Sequence, residues 1–183
     1  MNKERMQKLA GIITENTKST YEYGCVMLYF NFPMMNKIHD GIDTNDIYTE
    51  EGDNTYGLED EPHCTLLYGL HDNEIDTNKV LDMMGQFSFG NVKAHNISLF
   101  ENEKYDVLKF DIKGDNLHKA NRALKQFPYT SNFPNYHPHM TIGYLQSGMG
   151  SKYVKRMNGL EYDLTPTHIV YSHPNGTKDK III

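Results

Sequence analysis

Two short segments of the sequence place a histidine two residues before a threonine. His63 and Thr65 lie in Pro-His-Cys-Thr-Leu-Leu-Tyr, and His139 and Thr141 lie in Pro-His-Met-Thr-Ile-Gly-Tyr. Side chains at positions i and i+2 share one face of a β-strand, so each segment presents an imidazole and a hydroxyl on the same surface. The proline and tyrosine at fixed offsets in both segments argue against a chance repeat of His-x-Thr.

Two histidines and two threonines in one cleft are suited to phosphodiester cleavage. An imidazole with a pKa near 6.5 gains and loses a proton readily at neutral pH. One histidine can therefore take a proton from an attacking 2′-hydroxyl or water while the other protonates the departing oxygen. The threonine hydroxyls can donate hydrogen bonds to the nonbridging oxygens as charge develops there. This chemistry requires no metal and no cofactor, and we expect neither.

Each segment ends in a tyrosine, Tyr68 or Tyr144, five positions after its histidine. An odd offset places two side chains on opposite faces of a regular strand. We therefore expect both tyrosines to face away from the histidines and to serve the structure.

The elements around the motifs follow from hydrophobic periodicity and turn signals. Asp76 or Thr77 is the expected cap of the second helix, and Asp115 is the expected cap of the third. We predict helices at 2–18, 76–86, 115–127 and 150–158, and strands at 25–32, 63–70, 92–100, 105–112, 139–145, 167–172 and 178–183.

The same order of elements follows each motif strand, namely a helix and then a hairpin. That order predicts a duplicated, bilobal α+β fold with two antiparallel sheets and flanking helices around a central cleft. The length of 183 residues suits one domain, here 1–183. Within it we expect an N-terminal helix in residues 1–20 and an acidic loop insert at 34–61.

The charge of the chain bears on its partners. The net charge is -6, and twelve Asp or Glu residues but no Lys or Arg lie between Ile38 and Asn78. Such a region repels the phosphates of a long nucleic acid, while a short anionic ligand in a pocket is compatible with it. We interpret the run as a solvated, partly mobile loop rather than a metal site, because it lacks a regular ligand loop.

Other features point to the cytoplasm. Cys25 and Cys64 both lie in apolar stretches, which favours buried thiols over a disulfide. The first 20 residues carry charges and no apolar run, so we expect neither a signal peptide nor a membrane anchor. No obligate protein partner is evident.

From the two motifs, the chain resembles the 2H phosphoesterase superfamily over about residues 22–183. Its size, its first motif and its ending Tyr171-Ser172 with Asn175-Gly176 resemble the phage anti-CBASS nucleases. The resemblance implies that His63, Thr65, His139 and Thr141 are catalytic. It also implies metal-independent cleavage of 3′–5′ linkages in cyclic di- or trinucleotide messengers, which disables host immunity. The acidic insert has no place in that family pattern, so the rim of the cleft stays undefined.

Three alternative functions, from different classes, stay open. The first is a 2′,3′-cyclic or 2′–5′ RNA phosphodiesterase, which the acidic region disfavours. The second is a non-catalytic sponge for cyclic nucleotides, which two intact histidines disfavour. The third is a zinc site at His63, His137 and His139, which lacks a further ligand at suitable spacing.

Base recognition is weakly encoded. Unpaired bases stack on aromatic side chains, and the chain has thirteen Tyr and eight Phe. Tyr23, just before the first long strand, and Phe100, at the mouth of the hairpin, are the candidates for contact with the substrate.

Overall fold

The structure, a computed structural model, describes residues 21–133 and 135–183, so the helix predicted at 2–18 lies outside them. Within these residues the chain forms seven strands and four α-helices. The strands are β1 (Tyr23–Asn31), β2 (His63–His71), β3 (Val92–Glu101), β4 (Tyr105–Lys113), β5 (His139–Gln146), β6 (Tyr162–Ser172) and β7 (Lys178–Ile182), and the helices are α1 (Met34–His39), α2 (Thr77–Met84), α3 (Leu117–Leu124) and α4 (Gly150–Arg156).

Every strand predicted from the sequence is present, although several local details differ. Helix α1 lies in the segment expected to be a loop, and β6 begins five residues before the predicted start at 167. The Asp76 carboxylate caps α2 by accepting from the backbone of Asn78.

The predicted cap of α3 is wrong. The residue before α3 is Asn116 in a left-handed conformation with φ of 65°, and its side chain makes no capping bond. Asp115 instead accepts a hydrogen bond from the Asn91 amide at 3.0 Å. The aspartate therefore ties the start of α3 to the loop before β3.

The strands form one antiparallel sheet rather than the two that the sequence predicted. Its order is β2-β1-β6-β3-β4-β5, and β7 pairs with β6. The two halves are joined because β6 is 11 residues long. Its first residues, up to Leu164, pair with β3, whereas those from Thr165 onward pair with β1. The α+β class is confirmed.

The main hydrophobic core lies between one face of the sheet and the helices. Helix α3 packs against β2, α4 against β3 and β4, and α2 against β6 and β7. In β1, Val26 and Leu28 join this core, while the alternate residues Met27 and Tyr29 join a smaller cluster on the other face. That second face carries the motif histidines.

Candidate active site

Both motif strands contain a β-bulge at the same position, one residue after the threonine. In β2 Thr65 pairs with Met27 and Leu67 with Val26, so Leu66 has no partner in β1. In β5 the ladder skips Ile142 in the same way, between Thr141 and Gly143. A bulge puts two residues opposite one and reverses the facing of everything beyond it.

The bulges overturn the expectation that Tyr68 and Tyr144 face away from the histidines. Tyr68 pairs with Cys25 and packs in the cluster of Met27 and Tyr29, on the face that carries the motif residues. Tyr144 contacts the rings of neighbouring tyrosines instead of joining the main core. The odd offset from each histidine becomes an even one once the extra residue is discounted.

The carbonyl of each bulged residue has a side-chain donor. The Asn121 amide on α3 donates to the oxygen of Leu66 at 2.6 Å. In β5, the oxygen of Ile142 lies 3.0 Å from the His39 Nε2 and also accepts from the backbone N–H of Glu59 at 3.0 Å. Buried carbonyls that leave a ladder need such partners. Two unrelated elements therefore satisfy equivalent groups.

The sheet brings its two end strands together, although they stand at opposite ends of the strand order. Strands β2 and β5 lie against each other. The Cys64 sulfur accepts from the backbone of His139 and lies 3.5 Å from the Tyr136 hydroxyl. His63 is close enough to His139 to influence its charge. The structure thus brings both motifs into one site.

The two histidines are held in the same way. The Nδ1 of His63 lies 2.7 Å from the carbonyl oxygen of Glu61, and the Nδ1 of His139 lies 2.9 Å from that of His137. A carbonyl oxygen only accepts, so Nδ1 carries the proton in both rings. When a ring is neutral, its Nε2 then has a free lone pair. Each ring is therefore set to exchange a proton through Nε2.

The environment of His139 favours its neutral form. Burial lowers the pKa of His139, and the positive charges of Lys109 and His63 lower it further. The backbone contact with His137 and the carboxylate of Asp111 act in the opposite direction and are outweighed.

A charged pair that sequence reasoning missed lies beside the second motif. Lys109 pairs with Thr141 across β4 and β5, and the residue is only 6% exposed. Its Nζ donates to Asp111 at 2.6 Å and to Ser98 at 2.7 Å. Burial would raise the pKa of Asp111, but hydrogen bonds led by that from Lys109 hold it below its usual value. The alternation of β4 predicted that Lys109 lies on the polar face of the strand. That face is buried beside the motif residues instead of facing solvent.

The two residues proposed for base recognition lie in different places. Phe100 makes an edge contact with His139, with 5.0 Å between ring centroids. Tyr23 lies at the other end of β1 from Tyr29, the residue that contacts His63. It is 4% exposed, which leaves almost no ring face for a base. The structure therefore brings Phe100 to the motif histidine His139 and does not bring Tyr23 there.

Tyr29 lies beside His63, and His168 lies on the far side of Tyr29. Tyr29 contacts the His63 ring with centroids 5.3 Å apart and stacks on His168 at 4.7 Å. Burial, followed by the charge of Lys180, lowers the pKa of His168. The alternation of side chains along β1 indicates that Tyr29 shares a face with Met27. Only the register of β1 against β2 shows that this face lies beside His63.

The acidic insert, residues 34–61, is packed along the outer edge of β5 rather than forming a solvated loop. Backbone hydrogen bonds join Tyr48 to Tyr144 and Tyr144 to Gly57. Within the insert, Asp46 is buried and accepts from Tyr153 and Lys152 of α4. The insert thus covers the unpaired edge of the second motif strand.

The cysteine thiols and the possible metal ligands bear on which reactions the site can support. Burial raises the pKa of the Cys25 thiol to about 12 and that of Cys64 to about 11, so both stay protonated and unreactive. Among residues 21–133 and 135–183, no three His, Cys, Asp or Glu side chains are arranged to hold a metal ion. The zinc site considered for His63, His137 and His139 is therefore not formed. In the same part of the chain, no helix is long and apolar enough to span a membrane.

A family model matches the chain. The model of anti-CBASS protein Acb1 matches residues 49–169, about two thirds of the sequence, and this range contains both motifs. The chain belongs to the anti-CBASS protein Acb1 family. No curated protein matches it in sequence.

A solved structure is similar to the chain in fold. The structure of Kluyveromyces marxianus Usb1 has a TM-score of 0.58 and 10% sequence identity, and the match covers 89% of this chain and 99% of the Usb1 chain. At that identity the likeness concerns the fold alone. The α+β architecture described above is thus one that another protein also adopts over nearly its whole length.

Proposed function

We propose that this Acb1-family protein cleaves 3′–5′ linkages in cyclic di- or trinucleotide messengers, in the cytoplasm of the infected cell. His63 and His139 act as the acid–base pair, and Thr65 and Thr141 donate hydrogen bonds to the nonbridging oxygens. The observation that carries the proposal is the matched contact of each histidine Nδ1 with a backbone carbonyl, which leaves both Nε2 atoms for proton transfer.

The reaction begins at the 2′-hydroxyl beside the scissile phosphorus. One histidine accepts the hydroxyl proton as the O2′–P bond forms, and the other donates a proton to O5′ as the P–O5′ bond breaks. The products are a 2′,3′-cyclic phosphate and a 5′-hydroxyl. A tethered nucleophile has a large effective molarity, so the protein needs only to orient it and move two protons.

The charge of the chain supports a short substrate. Glu59, Asp60 and Glu61 precede the segment Pro62-His63, and the acidic insert lies along β5. A long RNA would bring many phosphates close to these carboxylates, whereas a cyclic dinucleotide brings two. The same argument places the RNA phosphodiesterase second among the candidate functions.

The direct test is incubation with a panel of cyclic dinucleotides and trinucleotides in EDTA, with products resolved by mass. We expect cleavage with a transient 2′,3′-cyclic phosphate. His63→Ala and His139→Ala should each lose about 10²–10⁴-fold in rate while still binding substrate. Activity that appears only after zinc is added would contradict the mechanism.

Two further substrates separate the alternatives. A cyclic dinucleotide with hydrogen in place of the attacking 2′-hydroxyl should stay intact, because it lacks the nucleophile. RNA ending in a 2′,3′-cyclic phosphate should be a poor substrate. Binding of every cyclic nucleotide without any product would identify a sponge instead.

A further inference from the structure

The two halves of the site differ in the residue that lies beside each threonine. Thr65 on β2 pairs with Met27, whereas Thr141 on β5 pairs with Lys109. The two positions are equivalent, because each directly precedes the bulge in its own ladder. One half of the site therefore rests on an apolar side chain and the other on a cation.

The same difference extends across both halves. Next to Met27, β6 contributes Val170, and these two belong with Tyr29 to a hydrophobic cluster. Next to Lys109, β3 contributes Ser98, whose hydroxyl accepts from the lysine. The polar half is thus a connected hydrogen-bond network, and the apolar half contains none of its members.

The network reaches the catalytic ring through an aromatic side chain. The Lys109 Nζ lies 4.5 Å from the centroid of the Phe100 ring, and Phe100 contacts His139 at 5.0 Å. Asp111, the acceptor for Lys109, pairs directly with His139 across β4 and β5. The Asn96 amide also donates to Asp111, which fixes the carboxylate. Lys109 is therefore held in place from several sides.

We propose that Lys109 is a positioning residue that keeps His139 neutral, so that His139 is the general base and His63 the general acid. The inference rests on the proposed function and assigns the two roles within it. Lys109 itself does not touch the reacting atoms in this account. It acts on His139 through its charge and through the network.

The direction of the pKa shift of His139 follows from the charges that face its ring. From β4 it faces the ammonium of Lys109 and the carboxylate of Asp111, and from β2 the imidazole of His63. A buried cation opposes a second positive charge, and it acts here alongside the burial of the ring. His63 instead follows Pro62, which three acidic residues precede, and its ring contacts that of Tyr29. A positive charge is thus disfavoured on His139, which leaves the role of proton donor to the other motif histidine.

Two substitutions should move the pKa of His139 in opposite directions. Lys109→Met installs the residue that the other half carries, removes the cation and leaves Asp111 to raise the pKa. Asp111→Asn removes the carboxylate and leaves Lys109 to lower it. A merely structural role would move both variants the same way. Met27→Leu, at the equivalent position beside Thr65, is the matched control and should change neither histidine.

The measurement is an NMR titration of labelled histidine in the full-length protein without substrate. We expect the His139 pKa to rise in Lys109→Met and fall in Asp111→Asn, with Lys109→Arg close to wild type. Shifts of the same sign in both variants, or none, would overturn the role of Lys109. Because no substrate is present, this result is independent of the proposed function.

The assignment of roles is tested with a substrate whose scissile O5′ is replaced by sulfur. A thiolate leaves without protonation, since a thiol has a pKa near 8.5. His63→Ala should then recover about 10²-fold or more relative to its rate on the oxygen substrate, and His139→Ala should not. Recovery in His139→Ala alone would reverse the assignment, whereas no cleavage of either substrate by the wild type would contradict the proposed function.

Discussion

The hydrogen bond from Asn121 to the bulge in β2 gives a sharp test of how the motif is held. Asn121 is 4% exposed and its amide donates to the carbonyl of Leu66 at 2.6 Å. Leu66 has no partner in the β1 ladder, so Asn121→Ala leaves this carbonyl buried without its donor. An unsatisfied buried polar group costs about 1–3 kcal/mol.

The expected loss of stability is therefore about 2 kcal/mol, with a small addition for the shortened side chain. For a chain of this size, 1 kcal/mol corresponds to about 2–4 °C in Tm. We expect Asn121→Ala to lower Tm by about 4–8 °C, measured by circular dichroism during heating. Cleavage of a cyclic dinucleotide should also slow well below Tm, because Thr65 adjoins the bulge.

Two variants make this prediction refutable. Asn121→Asp keeps the shape but replaces the donor with an acceptor, and it should lower Tm at least as much as Asn121→Ala. Lys119→Ala changes an exposed residue of the same helix and should stay within about 0.5 kcal/mol of wild type. If Asn121→Asp matched the wild type in Tm, the hydrogen bond would not be what holds the bulge.

Two other predictions concern the acidic insert and the end of β6. Gly143→Ala places a Cβ 2.8 Å from a methyl carbon of Leu58, so it should loosen the acidic insert, lower Tm and increase proteolysis within residues 34–61. Gly90→Ala, whose Cβ would meet only Asp115 at 3.8 Å, should spare the insert. His173 bonds Asp72 at 2.8 Å and Asp179 at 3.0 Å, and although burial lowers the pKa of His173, these carboxylates raise it above 6.5 overall. Its stabilising effect is therefore complete below pH 6.5 and is lost as the pH rises through the higher folded pKa. Urea unfolding at several pH values should show the advantage of wild type over His173→Gln shrinking on the alkaline side, and an advantage independent of pH would contradict the charge argument.

The strands could be predicted because their signals are local. In β3 and β4 the alternation of apolar and polar residues marks the hairpin, and the continuous apolar run in β1 marks a strand covered on both faces. The motif residues could be predicted for the same reason, since the His-x-Thr spacing lies within one strand. Helix α1 was missed because six residues of mixed polarity give too short a pattern.

What could not be predicted depends on partners distant in sequence. The bulges are stabilised by donors far along the chain, such as Asn121, which donate hydrogen bonds to the carbonyls that leave the ladder. The role of Lys109 depends on Ser98 and Phe100, which the hairpin brings beside it. The single sheet depends on the length of β6, which pairs with β3 up to Leu164 and with β1 from Thr165 onward. Two separate sheets would form if β6 ended between these residues.

The equivalence of the two bulges explains why the tyrosine at the end of each motif recurs. With the extra residue in place, Tyr68 and Tyr144 share a face with the histidine and threonine before them, so the repeat encodes a seven-residue bulged strand rather than an isolated His-x-Thr pair. The elements that satisfy the bulges differ, because α3 serves one and the acidic insert serves the other. The insert therefore provides the hydrogen bonds to the bulged carbonyl of β5 that α3 provides to the bulged carbonyl of β2. Its backbone hydrogen bonds to β5 hold the second motif in register.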